Sequence, residues 1–396
     1  MKNILMEKIQ QAIQILNELK IDMWLTYVRE TETIRDPSLD LILDTNCTWN
    51  SAFIITSNGD TIAIVGSLDA ANIISKNLFK EVISYVQGIE EDLLKVLNRY
   101  NPQKIAINYS RHNNLADGLT FGMYLDLTGK LEDTPFFTRL ISSEELITRL
   151  RGRKSPTEIQ VMKEAVRITL EIFEETGKFI KPGISEKQIA DFILNEVKKR
   201  GLETAWNVEY CPSVFTGPDT AGAHAGPTDR LVQPGHVLNI DFGIKYKGYC
   251  SDLQRTWYIL RDDEIDAPPE VKKGFNVIVE AIQKAADFMK PGVTAYEVDA
   301  IARNFIIENG YLEYPHALGH QVGRKAHDGG VVLAPRWERY GDLPYKKVGI
   351  DEVYTLEPRL TIADYGIATI EEEIVVRENG IEFLSTPQKE LYLIRS

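Results

Sequence analysis

The chain has 396 residues, 43% of them hydrophobic, and a formal net charge of −13; that length suits two domains with ample cores. The acid excess argues against a nucleic-acid partner, which would want a basic face, and no stretch approaches the apolar length of a membrane span. Three scattered cysteines (Cys47, Cys211, Cys250) without paired spacing, and an opening without a secretory leader pattern, point to a soluble protein of the reducing cytoplasm.

Taken in order, Met6–Leu19 alternates charges with Ile and Leu as an amphipathic helix does. Met23–Val28 predicts a strand, and Ser51–Thr56 with Thr61–Val65 a hairpin across Asn58-Gly59. Val82–Val86 and Lys104–Asn108 are further short apolar strands, with helical patterns such as Glu90–Tyr100 between them. Together they make an α/β layer domain over residues 1–150. It holds no chemical motif: His112 is a lone loop histidine, and Arg29–Asp36 is a solvated loop or one that reaches toward a cleft. The basic run Arg149–Lys154 marks the boundary to a second domain, residues 151–396. There Ser155 as N-cap, Pro156 at the first helical position and Glu158 closing a capping box open a helix.

An internal repeat follows. Phe179-Ile180-Lys181-Pro182-Gly183-Ile184-Ser185 matches Phe288-Met289-Lys290-Pro291-Gly292-Val293-Thr294. Gly201 and Gly310 keep the same separation, and both Ser185…Gln188 and Thr294…Glu297 are capping boxes. Each half is then helix, Lys-Pro-Gly turn, helix, and strands ending in a hairpin. Two such halves related by a pseudo-twofold would set the hairpins side by side.

Each hairpin carries paired carboxylates. In Val237–Trp257, with Tyr246 and Lys247 at the tip, Asp241 and Asp252 face each other directly, their Cβ atoms about 4.5–5.5 Å apart. Facing like charges destabilise a sheet unless something neutralises them, and a bound cation does so. A solvated acidic hairpin is the plain alternative, against which stands the apolar run Val237–Ile240. Near the C-terminus Val353–Thr361 and Ala368–Val376 flank a turn centred on Asp364, which pairs Glu357 with Glu371. Between the hairpins lies His316-Ala317-Leu318-Gly319-His320-Gln321-Val322-Gly323, followed by His327. Four carboxylates and an imidazole suit Mn²⁺, Co²⁺, Fe²⁺ or Zn²⁺. So many ligands exceed the needs of one ion, which predicts two metals about 3.5–4 Å apart.

The ordered set Asp, Asp, His, Glu, Glu, with Asp241-Phe242-Gly243, Gly319-His320-Gln321-Val322-Gly323 and Leu356-Glu357-Pro358 around three of its members, resembles the pita-bread metallopeptidases. These include the methionine aminopeptidases, aminopeptidase P and prolidase, with metal-free creatinase as a relative. The resemblance implies an α+β pita-bread domain with a pseudo-twofold, preceded by a creatinase-like N-terminal domain that helps build dimers. It makes Asp241, Asp252, His320, Glu357 and Glu371 the ligands of two divalent ions, manganese first among the candidates. Glu357 doubles as general base, while His224, His327 and His316 surround the metals as catalytic or substrate-contacting groups. His236, after Pro234-Gly235, has no implied role. The implied reaction is attack on a scissile carbonyl by a metal-bridging hydroxide, at the N-terminal Xaa-Pro bond of a dipeptide or short peptide.

One departure stands out. Prolidase and aminopeptidase P relatives carry Arg two residues before the last ligand and Gly two residues after the Leu-Glu-Pro glutamate, where this chain has Thr369 and Arg359. The hairpin register makes these two cross-strand partners, so the guanidinium has crossed the hairpin and can still meet a substrate carboxylate. The alternative is that Arg359 pairs with a surface acid, and a metal-dependent lyase or other non-peptidase hydrolase on the same fold is the competing function.

Overall fold

A computed structural model describes residues 2–219 and 226–395. The chain divides into two compact units, Met1–Arg151 and Gly152–Ser396.

The first unit is a six-stranded mixed sheet in the spatial order Glu81–Tyr85, Thr61–Gly66, Ser51–Thr56, Met23–Val28, Ile105–Ile107, Leu140–Ser142. Its three central strands are buried along their whole length. That explains why they are near-continuous apolar runs rather than alternating ones: both faces are covered. Trp24, Phe53 and Ala63 pack on one side, and Leu25, Ile54 and Ile64 on the other, the parity that strand geometry demands. The first helix spans Lys2–Leu19 and so starts four residues before the predicted Met6.

In the second unit the repeat is explicit. Helices Pro156–Phe179 and Glu186–Lys199 recur as Pro269–Phe288 and Ala295–Glu308. The helix ends Phe179/Phe288, the next starts Glu186/Ala295 and the next ends Lys199/Glu308 all stand 109 residues apart. Ser155 and Ser185 form capping boxes with Glu158 and Gln188, and Glu297 accepts from the Thr294 N–H at 3.0 Å. Gly183 N–H donates to the Val232 carbonyl, and Gly292 N–H to that of Val348, tying each turn to the strand segment of its own half. Each helix pair backs its own apolar cluster: Ile172, Ile193, Ile240 and Trp257 in one half, Ile278, Val298, Leu360 and Ile374 in the other. Between the two clusters lies the polar seam that carries the carboxylates.

The first hairpin departs from the expected register. Tyr246 pairs with Tyr249 and Asp241 with Gln254, so the tip is Lys247-Gly248. Both tip residues have positive φ (47° and 84°), the requirement of a two-residue turn whose twist matches its strands. Gly248 belongs inside such a tip, not after it. Asp252 therefore sits diagonal to Asp241 rather than opposite. Moving the tip by one residue shifts partners by two, so both aspartates keep the same face. The second hairpin runs in the expected register, with Val353 opposite Val375, Leu356 opposite Glu372 and Arg359 opposite Thr369.

Candidate active site

Asp241 lies in the strand Val237–Phe242, Asp252 immediately before Leu253–Ile259, Glu357 after Val353–Leu356, and Glu371 before Glu372–Arg377. His320 ends the short strand Gly319–His320, which pairs with Val332–Leu333. That strand lies so close to Thr355 that a Cβ on Gly319 would come 1.9 Å from the Thr355 carbonyl oxygen. Only glycine admits this approach, and it delivers His320 to the carboxylates.

Ligand atoms of Asp252, His320 and Glu371 lie within 4.8 Å of one another. His320 Nε2 is 3.3 Å from Glu357 Oε1 and 3.8 Å from Asp252 Oδ2. Its Nδ1 faces the Gln321 carbonyl at 3.4 Å. A carbonyl can only accept, so Nδ1 carries a hydrogen, and Nε2 is the ring nitrogen turned toward the two carboxylates. Three ligand-type groups thus converge on one point, where protons hold them together without metal and a cation can take the protons' place. Two further atoms agree: among the described residues, Asp241 Oδ1 and Glu371 Oε1 are buried without a hydrogen-bond partner. The residues present fit a divalent ion.

Electrostatics separate the four acids. Burial, then the charge of Glu357, raises Asp241 well above the usual carboxylate range. Burial, then Asp241 and Glu357, does the same for Asp252, and burial with Asp252, Glu357 and Asp241 for Glu371. Burial also pushes Glu357 up, but the hydrogen bond and charge of His320, with His316 and His327, outweigh it and leave its carboxyl below the usual range. Glu357 is thus the one acid of the four whose carboxyl the neighbouring imidazoles hold low.

Among the other histidines, His327 packs edge-on against His320 with ring centroids 4.2 Å apart. His316 directs Nδ1 at the Ala317 carbonyl at 2.8 Å, which leaves its Nε2 as an acceptor. Burial keeps it below the usual histidine range despite the charge of Glu357. His224 lies outside the described residues. His236 meets Thr216 Oγ1 through Nδ1 at 3.2 Å and covers Gly217. Arg359 is half-buried, and burial lowers its guanidinium from the ordinary value. Among the described residues it has no hydrogen bond or ion pair.

Three groups escaped the sequence reading. Glu373 accepts from the Asp252 N–H at 2.6 Å, and Gln254 donates to Glu371 Oε2 at 2.9 Å. Both share a strand face with a ligand two residues away, the spacing that should have betrayed them. The third is a clamp on the helix Ala295–Glu308. Arg303 grips Asp299 through Nε and Nη2 at 2.7 and 2.8 Å and donates to the Tyr314 and His316 carbonyls at 2.7 and 2.6 Å. Asp299 also accepts from Leu318 N–H at 3.0 Å. The guanidinium is sandwiched between Tyr314 and Trp337. The repeat places Ala190 and Leu194 at the matching positions, so the helix itself does not need the pair; the segment leading to His320 does. Arg303→Met should leave Asp299 buried and uncompensated and cost about 3–5 kcal/mol, seen as a lower melting temperature in thermal denaturation.

Known proteins resemble this chain over most of its length. The model of metallopeptidase family M24 matches residues 160–378, more than half of the chain. The chain belongs to that family. It is 29% identical over 342 residues to an uncharacterized peptidase of Staphylococcus saprophyticus, covering 85% of this chain and 88% of the relative. An Xaa-Pro dipeptidase from Bacillus anthracis superposes with a TM-score of 0.74 at 25% identity, over 98% of this chain and 100% of that one. An X-Pro aminopeptidase from Thermotoga maritima gives 0.70 at 25% identity, over 98% and 99%. This M24 protein thus has the two-domain α/β pita-bread fold, and the family makes it a peptidase acting on peptide substrates. No helix among its described residues is long and apolar enough to cross a membrane.

Proposed function

We propose that this M24 protein is a metal-dependent exopeptidase that cleaves the N-terminal Xaa-Pro bond of dipeptides or short peptides. The observation that carries the reading is the convergence of Asp252, Glu357 and Glu371 on His320 Nε2, with Asp241 beside them. Two divalent ions, Mn²⁺ the first choice, would be held by these five residues and would supply Lewis acidity toward a peptide carbonyl and an acidified water. The chain's own groups do the rest. Glu357 accepts the proton of the attacking water on its carboxylate and passes it to the leaving nitrogen. His327 and His224 are the donors toward the developing oxyanion. His316, whose Nδ1 is turned to the Ala317 carbonyl, offers Nε2 to a substrate N–H.

Arg359 is the proposed anchor for the substrate carboxylate. A half-buried guanidinium without an internal partner is costly to keep, and a carboxylate ligand is what its planar donors match. Arg359→Ala should raise KM for Ala-Pro at least 10-fold and leave KM for Ala-Pro-Ala less affected; an unchanged KM on the dipeptide removes the anchor. We further propose cytoplasmic location and a homodimer, read from the cysteine pattern and the resemblance.

The deciding experiment is hydrolysis of Ala-Pro and Ala-Pro-Ala by chelator-stripped protein after adding back Mn²⁺, Co²⁺ or Zn²⁺. Metal-restored cleavage before proline supports the reading, and the ratio of the two rates separates dipeptidase from aminopeptidase. Two bound ions with no cleavage would overturn it in favour of a lyase or other hydrolase.

A further inference from the structure

The residue opposite Asp241 is Gln254, neither an acid nor an imidazole, yet at the centre of the cluster. Only 8% of it is exposed. Its backbone carbonyl accepts from Glu371 N–H at 3.2 Å, joining the first hairpin to the second. Its side-chain Nε2 donates to Glu371 Oε2 at 2.9 Å and approaches Glu357 Oε2 at 3.4 Å. Its Oε1 accepts from the Thr369 hydroxyl at 2.5 Å. The amide can point only one way: reversed, its carbonyl oxygen would face two carboxylates.

We propose that Gln254 is a positioning residue of the metal centre, holding Glu371 and Glu357 in the orientation that receives an ion, and that Thr369 fixes Gln254 in turn. The division of labour is visible on Glu371: Oε2 is taken by the amide, while Oε1 is buried and unpartnered. A neutral donor suits the place. A lysine or arginine there would compete with the cation, and another carboxylate would deepen the repulsion among four that already crowd the seam.

Thr369 is equally committed. Its backbone N–H meets Thr256 Oγ1 at 3.2 Å, and its carbonyl accepts from Asn239 Nδ2 at 3.0 Å and from Thr256 Oγ1. Only the hydroxyl remains, and it serves Gln254. Thr369 is therefore not a place left vacant by the guanidinium across the hairpin. It stands opposite Arg359 across the hairpin, and its hydroxyl holds the amide that meets the metal-facing acids. The inference rests on the metal reading of this site but not on peptidase activity.

The test is calorimetric titration of chelator-stripped protein with Mn²⁺ alone, comparing wild type, Gln254→Ala, Thr369→Val and Thr369→Ser. Gln254→Ala and Thr369→Val should weaken at least one Mn²⁺ site by roughly 10–100-fold, the cost of losing a partner behind a ligand, while Thr369→Ser binds as wild type. Wild-type affinity in both Gln254→Ala and Thr369→Val overturns the inference, as does a Thr369→Ser loss as large as that of valine. If Gln254→Ala does not fold, the valine and serine variants decide. A wild type that binds two ions but leaves Ala-Pro and Ala-Pro-Ala intact defeats the peptidase reading and leaves this inference standing; a wild type that binds no Mn²⁺ overturns both.

Discussion

Replacing Glu357 with glutamine should lower kcat on Ala-Pro by roughly 10²–10⁴-fold, the range lost with a positioned proton acceptor, with metal affinity falling as well. Glutamine keeps size and shape but cannot take a proton, and it removes the charge that His320 stabilises. Steady-state kinetics at saturating Mn²⁺ measures the first effect, and titration with Mn²⁺ the second. The other acids give a contrast. Glu373 lies behind Asp252 and binds it only through the backbone N–H, so Glu373→Gln should cost far less in kcat. Equal losses in the two variants would show that Glu357 acts by charge alone and not as a base.

The second large effect concerns metal removal. Burial first, then the charge of Glu372, pushes the Glu373 carboxyl from its ordinary 4.5 up to about 8, and Asp241, Asp252 and Glu371 move the same way. A carboxyl whose folded value is raised binds more protons folded than unfolded. Its stabilising contribution is therefore complete below the ordinary carboxylate range and is lost as pH rises through the folded value. Metal-free protein should melt at steadily lower temperature from pH ~4.5 to ~8. Mn²⁺ reverses the trend, because the cation replaces the protons. At a hundred times the dissociation constant a site adds about 2.7 kcal/mol, or roughly 5–10 °C for a unit of this size. Calorimetric scans with and without Mn²⁺ across that pH range measure both slopes. A metal-free melting temperature that does not change with pH would mean the carboxylates are solvated.

Much of this architecture was legible before any coordinates, for identifiable reasons. Capping boxes and Lys-Pro-Gly turns are local chemistry, so the helices around Ser155, Ser185 and Thr294 and the 109-residue repeat could be read directly. The second hairpin register was legible because Asp364, with φ of 67°, centres a turn that the flanking apolar residues frame on both sides. The first hairpin misled because a positive-φ pair, Lys247-Gly248, is a backbone preference that side-chain patterning does not display. Parity rescued the conclusion, since both aspartates stay on one face whichever tip is chosen. Asp299 and Arg303 were invisible for another reason. Opposite charges four apart on a helix look like a solvated pair, and only tertiary packing shows them buried beneath the segment that carries His316. Gln254 was overlooked because an amide carries no charge to suggest a ligand's partner.

The hairpins are also separated along the chain, and that has a temporal consequence. Asp241 and Asp252 leave the ribosome more than a hundred residues ahead of Glu357 and Glu371, with His320 in between. At synthesis rates of about 5–20 residues per second, the interval is roughly 5–20 s. During it the first half can cap its helices and begin to gather its apolar cluster, which Ile394 of the last strand completes, but its two aspartates have no opposing acids. The cluster closes only when the final strands arrive. Any chain interrupted before Glu371 would be well on its way to folding and chemically silent.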